Sequence, residues 1–525
     1  MGRKLISRRD FITLTSLGVT GTYIGLHTGL ARAMMGSGGG GMGGGGGGMG
    51  GTGTSIIDPP PGSPFRDPAE AVKNINGVFE LEVREAQVNV NGTMASLLTY
   101  NGQYPGPTIR ARKWDTLRVQ LKNFLPYTTQ TNILGHTRNI TNLHTHGLHV
   151  SPVGFPDPMV PADNVMVQLR PGDICDYSYD LSMEEPGHLN FYHPHVHGVV
   201  AEQYWGGLAG PLVIEDETTA LAGFETHIMV LKDLSLSNGF PTPYTMLSDY
   251  MHGKEGGLVM VNGQVNPVLP IRPGQVQRWR ILNASNARFY KLSLEGHSLY
   301  LIGTDGGLLD KPYPLTSLLL APGERADILV KGSKTAKNYR FLSLPYSRGG
   351  MSSQQQVTLL TLADSGTAVR NVMPSSINPN AKRVTMDTSM LTRRSLTLSM
   401  MQGRGYINGI SFTDMDHTYQ FMSHLGSWEV WDIINNSGMD HPFHQHVNSC
   451  QVLSITGGDS AYASLYTTIP AWKDVVVVPK WGRVTMLVPV TDWPGMTMFH
   501  CHIIEHEDIG MMGVWDIMGG GMPPM

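Results

Sequence analysis

At 525 residues the chain is too long for one ordinary domain, and length alone suggests about three or four. Charged residues make up 15% of it and the formal net charge is -4, so there is no broad basic field for nucleic acid or anionic lipid, and neither is expected as a partner. Three cysteines, Cys175, Cys450 and Cys501, are too few to staple such a chain, so the fold must rest on burial.

The chain opens on an address. Paired arginines, Arg8 and Arg9, precede a moderately apolar run from Phe11 to Leu30 that ends in the small-residue site Ala31-Arg32-Ala33. Residues 1–33 read as a twin-arginine signal peptide. Thr, Ser, Gly and His27 interrupt the run, which argues against a membrane anchor, and no later stretch is long and apolar enough to span a bilayer. The twin-arginine route exports folded proteins, so the expected destination is the periplasm or the outer face of the cell. Met34 to Thr54 is almost all glycine, with Met34, Met35, Met42 and Met49 set in it. Such a stretch buries too little apolar surface to offset its ordering entropy and is expected to be a disordered leader, whose thioethers could hold Cu(I) loosely. Pro59, Pro60 and Pro61 then stiffen the entry to the folded body, so residues 34–74 read as leader and linker.

From about residue 75 the chain reads as short strands between turns. Phe79, Leu81 and Val83 alternate with polar residues, as do Leu117, Val119 and Leu121, and Asn91-Gly92 and Asn101-Gly102 are hairpin signals. No long amphipathic helix is visible. The pattern predicts an all-β chain of sandwich domains. An internal repeat sets their number: NGQYPGPTIRARKWDTLRVQLKN from Asn101 is echoed by NGQVNPVLPIRPGQVQRWRILN from Asn262, and more briefly by NGISF and WEVWDIIN from Asn408. Three consecutive domains follow, over residues 75–222, 223–380 and 381–525, with the polar stretch Asp364 to Lys382 as the second connection.

Ten of the 20 histidines fall in four short clusters: His144 and His146; His193 and His195; His441, His444 and His446; His500, His502 and His506. Four pairs are spaced i and i+2. On a strand that spacing turns both imidazoles to one face, ready to converge on a metal. The pairs come from the first and third domains alone. Between residues 223 and 380 the only histidines are His227, His252 and His297, without that spacing, so the second domain is expected to be a spacer and a wall of the substrate cleft.

The last cluster is the most specific. Cys501, His506 five residues on and Met511 five further supply a thiolate, an imidazole and a thioether, three ligands of a blue-copper site, with His441 as the fourth. His500 and His502 flank Cys501 and point to the opposite strand face, toward a different metal, which joins two metal sites through a few covalent bonds.

With these motifs the chain resembles the three-domain multicopper oxidases, over roughly residues 75 to 520, and the text HCHIIEHEDIGMMG is closest to the bacterial copper-efflux and spore-coat branch. The resemblance implies three cupredoxin-like Greek-key sandwiches and four copper ions. His441, Cys501, His506 and Met511 would hold a type 1 copper, and His144 and His444 a type 2 copper. His146, His193, His195, His446, His500 and His502 would hold a type 3 pair. It further implies a laccase-like oxidase that takes single electrons from a reducing substrate and reduces O2 to water. A monomer is expected.

Protons must reach the O2 site, and a carboxylate beside it is the usual solution. Spacing favours Asp157, the local text around Asp163 favours that residue, and Glu507 is a further candidate; the sequence leaves all three open. Cys175 and Cys450 could form a disulfide, but parity alone does not pair them. Phenols and aromatic amines rank first as substrate. Cuprous ion ranks second, on the strength of Met246, Met251, Met386, Met390, Met400, Met401, Met518, Met522 and Met525. A copper nitrite reductase would have two such domains and a mononuclear catalytic copper, and a copper carrier would consume no O2.

Overall fold

A computed structural model describes residues 56–519, apart from 155, 156, 158, 353, 354 and 416. The stretch read as a signal peptide, the Gly/Met stretch read as a leader as far as residue 55, and Met522 and Met525 lie outside the described residues. Strand pairing segregates into three pairs of sheets along the chain, with a two-stranded hairpin of Leu236–Ser237 and Phe240–Pro241 outside them. In the first pair, Thr93–Tyr100, Phe79–Val90, Thr116–Asn123 and Ile174–Asp180 form one sheet. Ile109–Ala111, Gly210–Ile214, Leu189–His193 and His144–His146 form the other. The predicted alternation places Phe79, Leu81, Val83, Leu117, Val119 and Leu121 between these sheets, each at most 4% exposed. Burial of each such side chain stabilises by roughly 1.5–3 kcal/mol.

Two features recur in all three sandwiches and explain the internal repeat. The long first strand of each pairs in parallel with a later one: Phe79–Val90 with Thr116–Asn123, Glu225–Leu234 with Val276–Asn283, and Thr392–Met401 with Ser427–Asn435. Each is pinned by the Asn-Gly turn that opens the repeat. Asn101, Asn262 and Asn408 all have φ between 53 and 57°, followed by glycines at 73 to 77°, the left-handed pair that Asn-Gly adopts at least cost. Their side-chain oxygens accept the amides of Glu82, Val230 and Thr397, and their amide groups donate to the carbonyls of Glu80, Ile228 and Ser395.

The asparagine that closes each repeat does a second job. Asn123, Asn283 and Asn435 are at most 1% exposed, and each donates to two carbonyls while accepting the amide two residues on. Replacing Asn283 by Ala removes the side-chain partner of the Arg288 and Leu320 carbonyls and of the Ser285 amide. The expected loss is about 2–5 kcal/mol of stability, read as a lowered denaturation midpoint at unchanged m-value.

The stretch read as a linker is partly built into the fold. Ile56–Ile57 pairs in parallel with Gln356 and Val357. The Gly62 amide donates to Asn266 O, and the Asn266 side chain donates to Pro59 O. Proline carbonyls accept freely even where the ring nitrogen cannot donate. Between the second and third sandwiches the chain's partners change over a few residues: the Ile377 amide donates to Asp310 O, whereas Arg383 reaches the carbonyls of Val452, Tyr466 and Ile469. Among the described residues the helices are short, the longest being Ser460–Thr468, capped by Asp459. No helix among the described residues is long and apolar enough to cross a membrane. All three cysteines are unpaired, Cys175 half-buried and Cys450 and Cys501 buried.

Candidate metal centre

Strand register brings the paired histidines together. In the first sandwich His144 lies opposite His193 on antiparallel strands, and in the third His444 lies opposite His500. The i, i+2 partners His146 and His446, with His195 and His502 just beyond their strand ends, complete a fully buried ring of eight imidazoles drawn from the two sandwiches. Their nitrogens converge as three triads: His144, His146 and His444; His146, His193 and His502; His195, His446 and His500. Within each, one donor atom per residue lies within 4.8 Å of the others.

The outward nitrogen of most of these rings is committed to an oxygen, which fixes the tautomer. His144 Nδ1 faces both oxygens of Asp163 at 2.8 and 2.9 Å, and His193 Nδ1 faces Pro194 O at 2.9 Å. His444 Nδ1 faces Asp474 O at 3.0 Å, and His500 Nδ1 faces Cys501 O at 3.0 Å. Carbonyls and carboxylates only accept, so each of these nitrogens carries the proton and the inward Nε2 is a bare lone pair. His146 is turned round: its Nε2 donates to Asp474 Oδ1 at 3.1 Å, and Nδ1 faces inward.

The inward nitrogens of His144, His146, His193 and His444, and both of those of His502, are buried without a hydrogen-bond partner. His500 Nε2 lies 3.2 Å from His195 Nε2 and 3.1 Å from His446 Nε2. Lone pairs brought together in this way repel unless a cation sits among them, so the donor set fits metal. Burial, reinforced by mutual repulsion, holds His146, His193, His195, His444, His500 and His502 well below the usual imidazole range and pushes His446 down to about 4. The neutral form is the one that ligates.

A separate triad lies on the other side of Cys501. His441 Nδ1, Cys501 Sγ and His506 Nδ1 are 3.2 to 3.5 Å from one another. His506 Nε2 donates to the Met251 carbonyl at 3.3 Å, and His441 Nε2 bonds the Ser437 hydroxyl at 2.7 Å, so both rings turn Nδ1 inward. The Ile503 amide donates to Cys501 Sγ. Burial pushes the Cys501 thiol up, so a cation must supply the charge that ionises it. Met511 is buried; its carbonyl accepts the Cys501 amide and its amide donates to His506 O, which ties the three residues into one loop.

The candidate acids separate. Asp163 is buried between His144 and His446; burial opposes its charge, but the two imidazoles hold it well below the usual carboxylate range. Its grouping with those histidines arises from their outward nitrogens, so it braces the two rings from outside the convergent set. Glu507 is fully buried, 3.5 Å from His195 Nδ1 and 3.4 Å from His500 Nδ1, and burial, with Asp508 adding to it, pushes its carboxyl well above the usual range. Asp157 is exposed and accepts the Met159 amide within its own loop, making none of the histidine contacts of Asp163. The spacing that favoured it placed an acid in sequence but not on the buried side of the loop.

Sequence reasoning missed Asp474. It touches His146 and His444 because Val475–Val478 pairs with His441–Gln445, and the only signal was a Lys-Asp pair before an all-valine strand. It also understated the second sandwich, whose Met251 carbonyl orients His506 and whose Gly323 packs on the His502 ring.

Three family models, each described as multicopper oxidase, match residues 82–219, 227–367 and 378–519. A multicopper oxidase of Staphylococcus aureus is 30% identical over 80% of this chain and 84% of its own length. Among solved structures, a multicopper oxidase from Campylobacter jejuni described as a metallo-oxidase superposes with a TM-score of 0.74 at 26% identity, covering 89% of this chain and 98% of that one. A laccase-like multi-copper oxidase from the lignin-degrading bacterium Ochrobactrum sp., with oxidase activity towards lignin model compounds, gives 0.72 at 27%, covering 87% and 100%.

Proposed function

The chain belongs to the multicopper oxidase family, copper oxidoreductases that use O2 and a reducing substrate, and on that premise we propose a laccase-like oxidase whose electrons enter at Cys501 and leave at the eight-histidine ring. His441, Cys501, His506 and Met511 would hold the type 1 copper, and His144 and His444 the type 2 copper. His146, His193 and His502 would hold one type 3 copper, and His195, His446 and His500 the other. The bound ions would supply one-electron oxidation at the first site and four-electron reduction of O2 to water at the other three.

One observation carries the reading: Cys501 belongs to one donor triad while its two chain neighbours, His500 and His502, belong to two others. The Cys501 carbonyl also accepts the His500 Nδ1 proton, so both a covalent and a hydrogen-bonded path leave the thiol for the ring. Glu507, placed between His195 and His500, would hold the proton that O2 reduction consumes. Asp163 would keep His144 and His446 in their ligating tautomers. The boundaries near residues 222 and 380 are proposed as domain limits, and the twin-arginine motif supports export to the periplasm or beyond, as a monomer.

Phenols and aromatic amines are the proposed donors, in line with the lignin-model activity of the Ochrobactrum enzyme. A second reading, cuprous ion, has its own observation. Exposed Met246 opens the helix Leu247–His252 that covers His506, Met401 lies in the hairpin whose Gly403 touches Leu247, and Met351 follows Gly350, which meets Met439. The test is O2 uptake by copper-loaded protein with a phenolic dye, with and without added Cu(II), beside Cu(I), Fe(II) and Mn(II). Dye oxidation without added Cu(II) is expected. Activity confined to Cu(I), or to dye with Cu(II) present, would replace the phenol reading by the cuprous one.

A further inference from the structure

We propose that Arg325, from the second sandwich, is a positioning residue for the O2-reducing site, acting through Asp474 on His146 and His444. This rests on the copper assignment proposed above. The second domain thereby contributes to the trinuclear site without supplying a ligand.

Arg325 is 1% exposed and all its N–H groups are used. Nη1 and Nη2 donate in parallel to Asp474 Oδ1 and Oδ2, each at 2.6 Å, the planar fork that a guanidinium makes with a carboxylate. The remaining protons go to Leu189 O at 3.0 Å, Gly323 O at 3.1 Å and Asp305 O at 3.1 Å, with Asn190 Oδ1 at 3.3 Å. One side chain therefore grips all three sandwiches: the strand that carries His193, the turn that packs on His502, and the acid that holds His146 and His444.

Two further observations show a built arrangement. Gly147, which follows His146, has φ of 95°, and a Cβ there would fall on Arg325 Nη2 and Asn190 Oδ1, so the guanidinium occupies the space a side chain would need. Behind it, Lys473 Nζ bonds Asp305 Oδ2 and Glu324 Oε1 at 2.8 Å each, Asp305 Oδ1 accepts the Arg325 amide, and the Tyr462 hydroxyl donates to Glu324. Every charged member of this network is at most 4% exposed.

The chemical consequence concerns His146. It is the ring shown above to be turned round, offering Nδ1, and Asp474 Oδ1 is what holds the proton on Nε2. An Asp474 carboxylate that swings away frees the ring to rotate or change tautomer and to present an N–H where a lone pair is required. Losing such outer partners typically costs about 10–100-fold in metal affinity or activity.

The test compares Arg325→Lys, which keeps the charge but loses the fork, and Asp474→Asn with the wild type, each loaded with copper. The blue thiolate-to-copper absorption per chain, the paramagnetic signal of non-blue Cu(II), thermal midpoint, and kcat and KM for a phenol are measured. Both variants are expected to keep the blue band and KM and to show an altered non-blue signal, as loss of the copper that His146 would hold uncouples its pair, with kcat down about 10–100-fold. A wild-type non-blue signal and kcat in both variants would overturn the inference. So would parallel loss of blue and non-blue copper with a lowered thermal midpoint, the mark of a purely structural role. Wild-type protein that binds blue copper but no non-blue copper would instead sink the assignment beneath it, before any variant is made.

Discussion

Cys501→Ser is expected to abolish the blue absorption and O2-coupled oxidation together, while leaving the non-blue copper in place. The physical reason is ligand softness. A buried serine hydroxyl, even more than the thiol that burial already pushes up, resists the ionisation a copper ligand needs, and oxygen lacks the soft donor character that sets a blue site's geometry and potential. The eight-imidazole ring keeps all its donors in this variant, because Cys501 belongs to none of its triads. The drop in kcat should exceed the about 100-fold that changes outside the ligand shell cost. Visible absorption, paramagnetic resonance and O2 uptake on one preparation check it. Undiminished turnover without the blue band would mean that electrons enter elsewhere.

Glu507→Gln is expected to slow O2 reduction by about 10²- to 10⁴-fold, the range over which positioned acids act, with little change in how fast the donor bleaches the blue band without oxygen. Gln keeps the volume and polarity of the side chain between His195 and His500 but has no exchangeable acid proton. Anaerobic stopped-flow reduction isolates the donor step, and single-turnover reoxidation by O2 isolates the step that consumes protons. The exposed Asp157→Asn variant should match the wild type in both, since its carboxylate is at the surface and accepts an amide of its own loop. Equal slowing of both steps by Glu507→Gln would point to disturbed copper binding and remove Glu507 from proton delivery.

Much of this molecule is local and therefore readable along the chain. Asn101-Gly102, Asn262-Gly263 and Asn408-Gly409 marked the repeat because one left-handed turn is needed at the same place in every sandwich. The alternation of Phe79, Leu81 and Val83 follows from the two-residue period of a strand, the same period that made the four His-X-His pairs stand out in the sequence. Other features were not legible. The Pro-rich approach was read as a stiff linker, and beyond that Gly62 and Pro59 bond Asn266, some two hundred positions on, a pairing that no local pattern announces. Asp157 and Asp163 could not be told apart because both follow the same histidine pair in one loop, and which acid turns inward depends on how that loop folds back over the strands.

The sequence by itself determined the donor chemistry: one thiolate between two imidazoles, a thioether downstream, and histidine pairs confined to the first and third of three repeated β domains. Only the tertiary structure decided which histidine nitrogens converge in one triad, which acid braces those rings, and that the middle domain reaches in through Arg325. The reason is distance along the chain. His195 and His500 are 305 positions apart and Arg325 and Asp474 are 149, so their meeting depends on strand register and domain docking, which sum over many weak contacts and leave no mark on any short stretch of residues.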